Sequence, residues 1–211
     1  MNSAAADRPR AEPLLQIDGL DCVRGGRPVL RNVSFAIAAG ELVVVTGPNG
    51  SGKTSLLRCI AGLLEPSAGT IAGSARSKGR TLHVGHADPA KPHLTVLENL
   101  RFWSALGGHG GASVQDAAAV FGLAALLALP ARILSAGQRR RLSLARLLLT
   151  PSELWLLDEP ANALDRDGVE RLAAAVAAHR AQGGSAIVAT HDLLPFPDAR
   201  QLALRSGTVA C

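Results

Sequence analysis

Eight consecutive residues, Gly47-Pro48-Asn49-Gly50-Ser51-Gly52-Lys53-Thr54, carry the clearest chemical signal in the chain. Two glycines separated by four residues, then a lysine and a hydroxyl residue, have the spacing of a phosphate-binding loop. Glycine lets successive backbone N–H groups curl around phosphate oxygens with no Cβ in the way. A helix starting at the end of the loop adds its partial positive charge. Lys53 can reach the β- and γ-phosphates of a nucleotide as a point charge. The Thr54 hydroxyl is placed to bind Mg2+. Pro48, Asn49, Gly50 and Ser51, with Ser55 just beyond, are assigned to the same cradle. A plain glycine-rich turn before a helix is the competing reading, and the spacing and flanks disfavour it.

Leu154-Trp155-Leu156-Leu157 is an apolar run that ends in two carboxylates, Asp158 and Glu159. Asp158 would hold Mg2+, and Glu159 would accept the proton of an attacking water. Two solvated acids in a loop are the bland alternative, which the upstream phosphate loop makes less attractive. Between the two motifs stands Leu134-Ser135-Ala136-Gly137-Gln138. Ser135 is a good helix N-cap, and the small Ala136 and Gly137 leave the next N–H groups open. The result is a second anion-binding helix start with no lysine of its own. It suits a γ-phosphate held by another subunit, with Ser135, Gly137 and Gln138 as contacts. An ordinary capped helix is the alternative.

These residues need elements that bring them together. Leu42-Val43-Val44-Val45 is a β-branched run apolar on both faces, as in a parallel sheet covered on both sides. Leu56, Leu57, Ile60, Leu63 and Leu64 follow the glycines at helical spacing, and Gly62 and Pro66 mark where that helix ends. Leu154–Leu157 and Ala186–Ala189 read as two more buried strands. Leu14–Ile17 and Val33–Ile37 read as strands joined through a turn at 24–28, and 201–209 as two short ones. Strand–helix alternation gives an α/β fold with a largely parallel sheet. From about 86 to 150 the chain is rich in Ala and Leu and reads as a helical insertion.

Composition narrows the field. Hydrophobic residues make up 47% of the 211, enough for a sizeable core. Aromatics are 3% and tyrosine is absent, which excludes modules that stack bases on rows of aromatic rings. The formal charge is +5, and Arg139-Arg140-Arg141 is read as a solvated helix face with phosphate or dimer contacts, so no nucleic-acid partner is expected. Cys22, Cys59 and Cys211 lack metal-site spacing and point to a reducing compartment. His83, His93, His109 and His179 also lack ligand spacing and are expected to be surface or satisfied side chains. Residues 1–13 read as a flexible tail without a secretory apolar region, and 14–211 as one domain. The apolar run Ala117–Leu129 is shorter than a membrane span and is expected to be a buried helix.

The order of phosphate loop, Leu134–Gln138, Leu156-Leu157-Asp158-Glu159-Pro160 and Thr190-His191-Asp192 resembles the ATP-binding cassette (ABC) ATPases over about residues 14–205. That resemblance implies a P-loop ABC nucleotide-binding domain: a RecA-like core, an antiparallel β subdomain and a helical insertion. It makes His191 the switch histidine that contacts the γ-phosphate, and puts Asp165 in a loop that crosses a dimer interface. ATP and Mg2+ are the implied ligands, and a second copy of the chain, head to tail across two ATP molecules, the implied partner. Where the family often stacks adenine on an aromatic, residues 22–29 offer none, so the base would rest on Arg24 and nonaromatic contacts.

Where the family usually has Gln after the third core strand, this chain has His86. A neutral imidazole donates one hydrogen bond and accepts one, but histidine titrates near physiological pH. Activity is therefore expected to fall near about pH 6, and His86→Gln to flatten that fall in an ATPase pH profile. Val84-Gly85-His86, Leu94 to Phe102 and Leu134 to Arg140 resemble the ATP-binding subunits of the haem exporter of cytochrome c maturation. The resemblance implies CcmB-like membrane permease subunits as partners, with CcmC-like ones as further candidates. It also implies a peripheral position on the cytoplasmic face of a bacterial inner membrane. Phe102 and Trp103 fall where such a partner would dock, or are core. Three alternatives are weighed: the ATPase subunit of another ABC transporter, a soluble ABC ATPase acting on nucleic acid or ribosomes, and a P-loop small-molecule kinase. The kinase would lack the Ser135 motif.

Overall fold

The computed structural model describes residues 13–76, 79–87, 89–108, 110–191, 194–205 and 208–210. The expected tail lies outside them except for Pro13, as do Lys78, His109, Asp192 and Cys211. Strands β1 (Leu15–Arg24) and β2 (Arg27–Ile37) form a hairpin closed by Gly25 and Gly26, at φ +53° and +75°. Two successive positive-φ residues match the right-handed twist of the flanking strands, and glycine takes them without strain. Strand β3 (Leu42–Thr46) leads through the phosphate loop into α1 (Lys53–Ile60). Then come β4 (Ala68–Ala72) and β5 (Thr81–Val84), followed by α2 (Val96–Gly107), α3 (Val114–Val120) and α4 (Ala136–Leu149). Strand β6 (Leu154–Asp158), α5 (Arg166–Ala181), β7 (Ser185–Ala189), β8 (Arg200–Arg205) and β9 (Thr208–Ala210) complete the chain.

Two sheets result, β2-β1-β4 and β5-β6-β7-β3-β8-β9. The first is antiparallel. In the second, β5, β6, β7, β3 and β8 run parallel and β9 antiparallel. Side chains alternate across each parallel strand. Leu42, Val44, Trp155, Leu157, Ala186 and Val188 pack into a core shared with α2 to α5. Val43, Val45, Leu154, Leu156, Ile187 and Ala189 pack into another shared with α1 and the β1–β2 hairpin. Burial on both faces explains why these strands read as unbroken apolar runs. Because they are parallel, their C-terminal ends lie along one edge, where open α/β sheets bind ligands.

Several expectations change. The helix after the phosphate loop stops at Ile60, so the end expected at Gly62 holds, with Gly62 turning at φ +71°, but Leu63 and Leu64 lie beyond the helix and Leu63 is 66% exposed. The Arg76 guanidinium donates to the Cys59 and Ile60 carbonyls and so caps the helix end. The apolar run Ala117–Leu129 is not one helix. Helix α3 ends at Val120, Gly122 reverses at φ +65°, and a short 3-10 turn covers Ala124–Leu126. Trp103 is core, whereas Phe102 is exposed beneath the Lys91 ammonium. Asn99 is buried, and its amide binds the backbone of Lys91, Leu94 and Thr95, fixing the entry to α2. Cys22 and Cys59 are buried free thiols. Burial first, then the Cys22 thiol, pushes Cys59 up to about 12, which leaves it protonated and unreactive at neutral pH.

His83 and His179 are not surface residues, and neither is fully satisfied. Both are half-buried, and the Nε2 of each has no hydrogen-bond partner. The His179 ring lies flat on Trp155, with centroids 3.8 Å apart. Burial holds its pKa below the ordinary value, against an opposing backbone contact from Ser185. A depressed histidine adds stability that is intact above its unfolded pKa and is lost as pH falls toward the folded one. His179→Phe keeps the stack and removes the proton site. Thermal melts from pH 7 to 5 should therefore show the variant losing less melting temperature than the parent.

Candidate functional site

The sheet's C-terminal edge carries a cleft of about 740 Å3. Residues 49–55 of the phosphate loop form one wall, and Asp158, Glu159, Asn162, His86 and His191 line the rest. Arg24, Gly25 and Val29, from the hairpin, also line it. Strand order explains the convergence. Asp158 ends β6 beside Ala189 at the end of β7, and Val45 of β3 flanks that same residue. His191 follows two residues after β7 and the phosphate loop follows β3, so three neighbouring strand ends deliver the site.

The loop can take its shape only with glycine at two positions. A Cβ on Gly47 would lie 2.4 Å from the Leu204 carbonyl, and one on Gly52 would lie 2.5 Å from the Val29 carbonyl. Gly52 also sits at φ +102° as the N-cap position of α1. The loop is thereby pressed against β2 and β8. Lys53 is 6% exposed and donates to the Gly47 carbonyl at 2.7 Å and to the Pro48 carbonyl at 3.4 Å. Its ammonium is folded onto the loop it serves. Thr54 Oγ1 donates to Asp158 Oδ1 at 3.1 Å, and Asp158 is buried.

Glu159 stands at the centre. Its Oε1 lies 3.8 Å from Lys53 Nζ and 3.0 Å from His191 Nδ1. Its Oε2 is buried with no hydrogen-bond partner. Its backbone takes φ +45°, a left-handed conformation that strains a residue with a side chain. Strain of this kind, about 1–3 kcal/mol, persists where the surroundings enforce it and is concentrated at functional sites. His86 lines the cleft, 3.5 Å from Asn162 Nδ2 through its Nδ1.

The structure does not bring Ser135, Gly137 or Gln138 into this cleft. They start α4, where Ser135 Oγ accepts from Gln138 N at 3.2 Å and Gln138 Oε1 accepts from Ser135 N at 2.8 Å, a reciprocal capping box. Gly137 is needed for close approach: its Cβ would sit 2.7 Å from the Ala163 carbonyl. Asp165 caps α5 by accepting from Gly168 N.

Arg140, read from sequence as part of a solvated face, is instead buried. Its guanidinium donates to the carbonyls of Gly85, Asp158, Glu159 and Pro160. Three arginines in a row gave no sign of which one turns inward. The helical period distributes them around α4, and only the packed partner decides.

Fold and cleft together define a P-loop domain of the ATP-binding-cassette type. The family model described as ABC transporter matches residues 30–162. An ATP-binding subunit of an ABC transporter superposes with a TM-score of 0.81 at 24% identity, over 93% of this chain and 88% of its own. A nucleotide-free cassette of another superposes at 0.79 and 20%, over 95% and 90%. The cytochrome c biogenesis ATP-binding export protein CcmA of Paramagnetospirillum magneticum is 47% identical over 203 residues, 90% of this chain and 94% of that one. The CcmA protein of Bradyrhizobium diazoefficiens is 49% identical over 194 residues, 90% and 96% of the two chains. The chain belongs to the ABC transporter family, and within it to the CcmA family of cytochrome c biogenesis ATP-binding export proteins.

Proposed function

We propose that this chain is the ATP-hydrolysing, energy-coupling subunit of the haem-exporting ABC transporter of cytochrome c maturation. One observation carries the enzymatic part: Lys53, Thr54, Asp158, Glu159 and His191 converge on a single cleft from three adjacent strand ends. The CcmA kinship supports the transport part. In this reading 14–211 is one ATPase domain and its helical part, about 86–150, carries the Ser135 motif.

ATP enters with its phosphates on residues 47–55 and its base toward Arg24, Gly25 and Val29. Lys53 exchanges the Gly47 and Pro48 carbonyls for β- and γ-phosphate oxygens. The Thr54 hydroxyl and Asp158 carboxylate, two oxygen donors already in contact, fit Mg2+ and would hold it. Bound there, the ion neutralises charge on the phosphate oxygens. Glu159 takes the proton from water as the water oxygen attacks the γ-phosphorus in line, and the bond to the β–γ bridging oxygen breaks to leave ADP and phosphate. His191 and Lys53 steady the charge that develops on the transferred phosphoryl group. His86, beside Asn162, orients groups at the γ-phosphate end.

Ser135, Gly137 and Gln138 serve the γ-phosphate bound by a second copy, because they do not line their own cleft. Two chains thus close head to tail on two ATP molecules, and hydrolysis releases them. Among the described residues no helix is long and apolar enough to cross a membrane. In this reading the bilayer is crossed by separate permease subunits, CcmB-like and CcmC-like, at the cytoplasmic face of the inner membrane. The test is recovery of the full chain carrying Glu159→Gln from native membranes with ATP and Mg2+. Co-purifying cytochrome c maturation permeases are the expected result. A different permease overturns the cargo, and ribosomes or nucleic acid in place of any membrane protein overturn the transporter reading.

A further inference from the structure

We propose that Arg140 is a positioning residue for hydrolysis. It ties helix α4 to the backbone of Glu159 and to the turn that carries His86, so that the water-activating carboxylate is aimed by the helix that begins at Ser135. This rests on the reading of Glu159 as the base. Arg140 is 7% exposed and does not line the nucleotide cleft, so it acts through others.

Burying a guanidinium is costly unless its donors are matched. Here they are matched to backbone. Nε donates to the Pro160 carbonyl at 3.1 Å and Nη1 to the Gly85 carbonyl at 2.8 Å. Nη2 donates to the Asp158 carbonyl at 3.0 Å and the Glu159 carbonyl at 2.8 Å. Three of these acceptors are consecutive at the exit of β6, and the fourth is at the exit of its sheet neighbour β5. One planar group therefore joins two strand ends to a helix outside the sheet. Lysine, with a single compact ammonium, cannot reproduce that fork.

The acceptors sit where backbone control matters. Glu159 is at φ +45°, a conformation that the surroundings must enforce. Its N–H is fixed on the Ala189 carbonyl of β7 at 2.8 Å, and its carbonyl is fixed on Arg140. Held at both ends, the residue directs Oε1 toward Lys53 and His191. The Gly85 carbonyl immediately precedes His86, so the same guanidinium sets the turn that presents the imidazole. Ser135 lies five residues before Arg140, about 7.5 Å along the axis of one unbroken helix. Beside this span a cavity of about 190 Å3 is lined by Ala136, Arg139, Arg140 and Ser143 from α4 and by His86 and Asn162. A displacement of the start of α4, where the second copy's γ-phosphate would seat, is passed to Glu159 through hydrogen bonds.

The experiment compares parent, Arg140→Lys and Arg140→Met full chains in complex with their membrane partner. Steady-state hydrolysis and equilibrium binding of a fluorescent ATP analogue are both measured. Misdirecting a reacting group by about 1 Å costs up to about a hundredfold in rate. We expect kcat to fall about tenfold in Arg140→Lys and about a hundredfold in Arg140→Met, with analogue affinity within about threefold of the parent. Arg140→Lys keeps a buried cation, so a folding failure of Arg140→Met does not decide the matter. Arg140→Lys with a parent kcat overturns the proposal, as does a parallel loss of affinity and kcat, which marks a general structural role. Glu159→Gln is run alongside: if it hydrolyses at the parent rate, the base assignment fails and the positioning role falls with it, whatever the arginine variants do.

Discussion

Glu159→Gln should lower ATP hydrolysis by about a hundred- to ten-thousandfold while leaving the nucleotide bound. Glutamine has nearly the same shape, so it keeps a side-chain oxygen near Lys53 and His191. What it loses is the ability to take a proton from water. It also loses a negative charge from the γ-phosphate end, which stabilises the ATP-bound state by removing repulsion. The two effects act together: chemistry stops and the closed dimer persists. Phosphate release gives the first readout, and size-exclusion chromatography with ATP and Mg2+ gives the second. A variant that keeps the parent rate and elutes as a monomer would remove Glu159 from the mechanism.

Lys53→Ala should act one step earlier, on binding. The ammonium is buried and already makes two hydrogen bonds to loop carbonyls, so its position is set before ATP arrives. Exchanging those carbonyls for phosphate oxygens gives bonds whose donor and acceptor are both charged, which are stronger. Removing them should cost about 3 kcal/mol, roughly a hundredfold in Kd. The alanine variant also strips two hydrogen bonds from the loop itself, so its own melting temperature should drop slightly. Titration calorimetry with ATP measures the affinity directly. An unchanged Kd would mean that the backbone cradle and Mg2+ site hold the nucleotide without the lysine.

Much of this architecture could be read in advance, for definite reasons. The buried strands announced themselves because both faces are covered, so no polar residue interrupts Leu42–Val45 or Leu154–Leu157. The phosphate loop was legible because its backbone demands glycine at fixed positions, as the clashes at Gly47 and Gly52 show. Asp158 and Glu159 were legible because they end an apolar strand. Other features depend on contacts between distant segments and leave no local pattern. Arg140 reaches residues 18 to 55 positions away. Asn99 organises a loop through four hydrogen bonds that no periodicity encodes. Leu63 and Leu64 count with α1 in the sequence, and 117–129 reads as one helix, because the apolar spacing continues past a single glycine. The backbone turns at that glycine all the same.

The placement of the two tryptophans gives the protein an optical signature. With no tyrosine in the chain, emission excited in the indole band arises from Trp103 and Trp155. Trp155 is anchored in β6, stacked on His179 and tied through its indole N–H to Ser152. Trp103 sits on α2 in the helical region, under the Arg146 guanidinium. One fluorophore thus belongs to the sheet that carries the cleft, and the other to the helices that carry Phe102 and the Ser135 motif. If nucleotide moves the helices relative to the sheet, Trp103 emission is expected to shift against a constant Trp155 background. The unlabelled chain therefore carries its own gauge of any movement of the helices relative to the sheet.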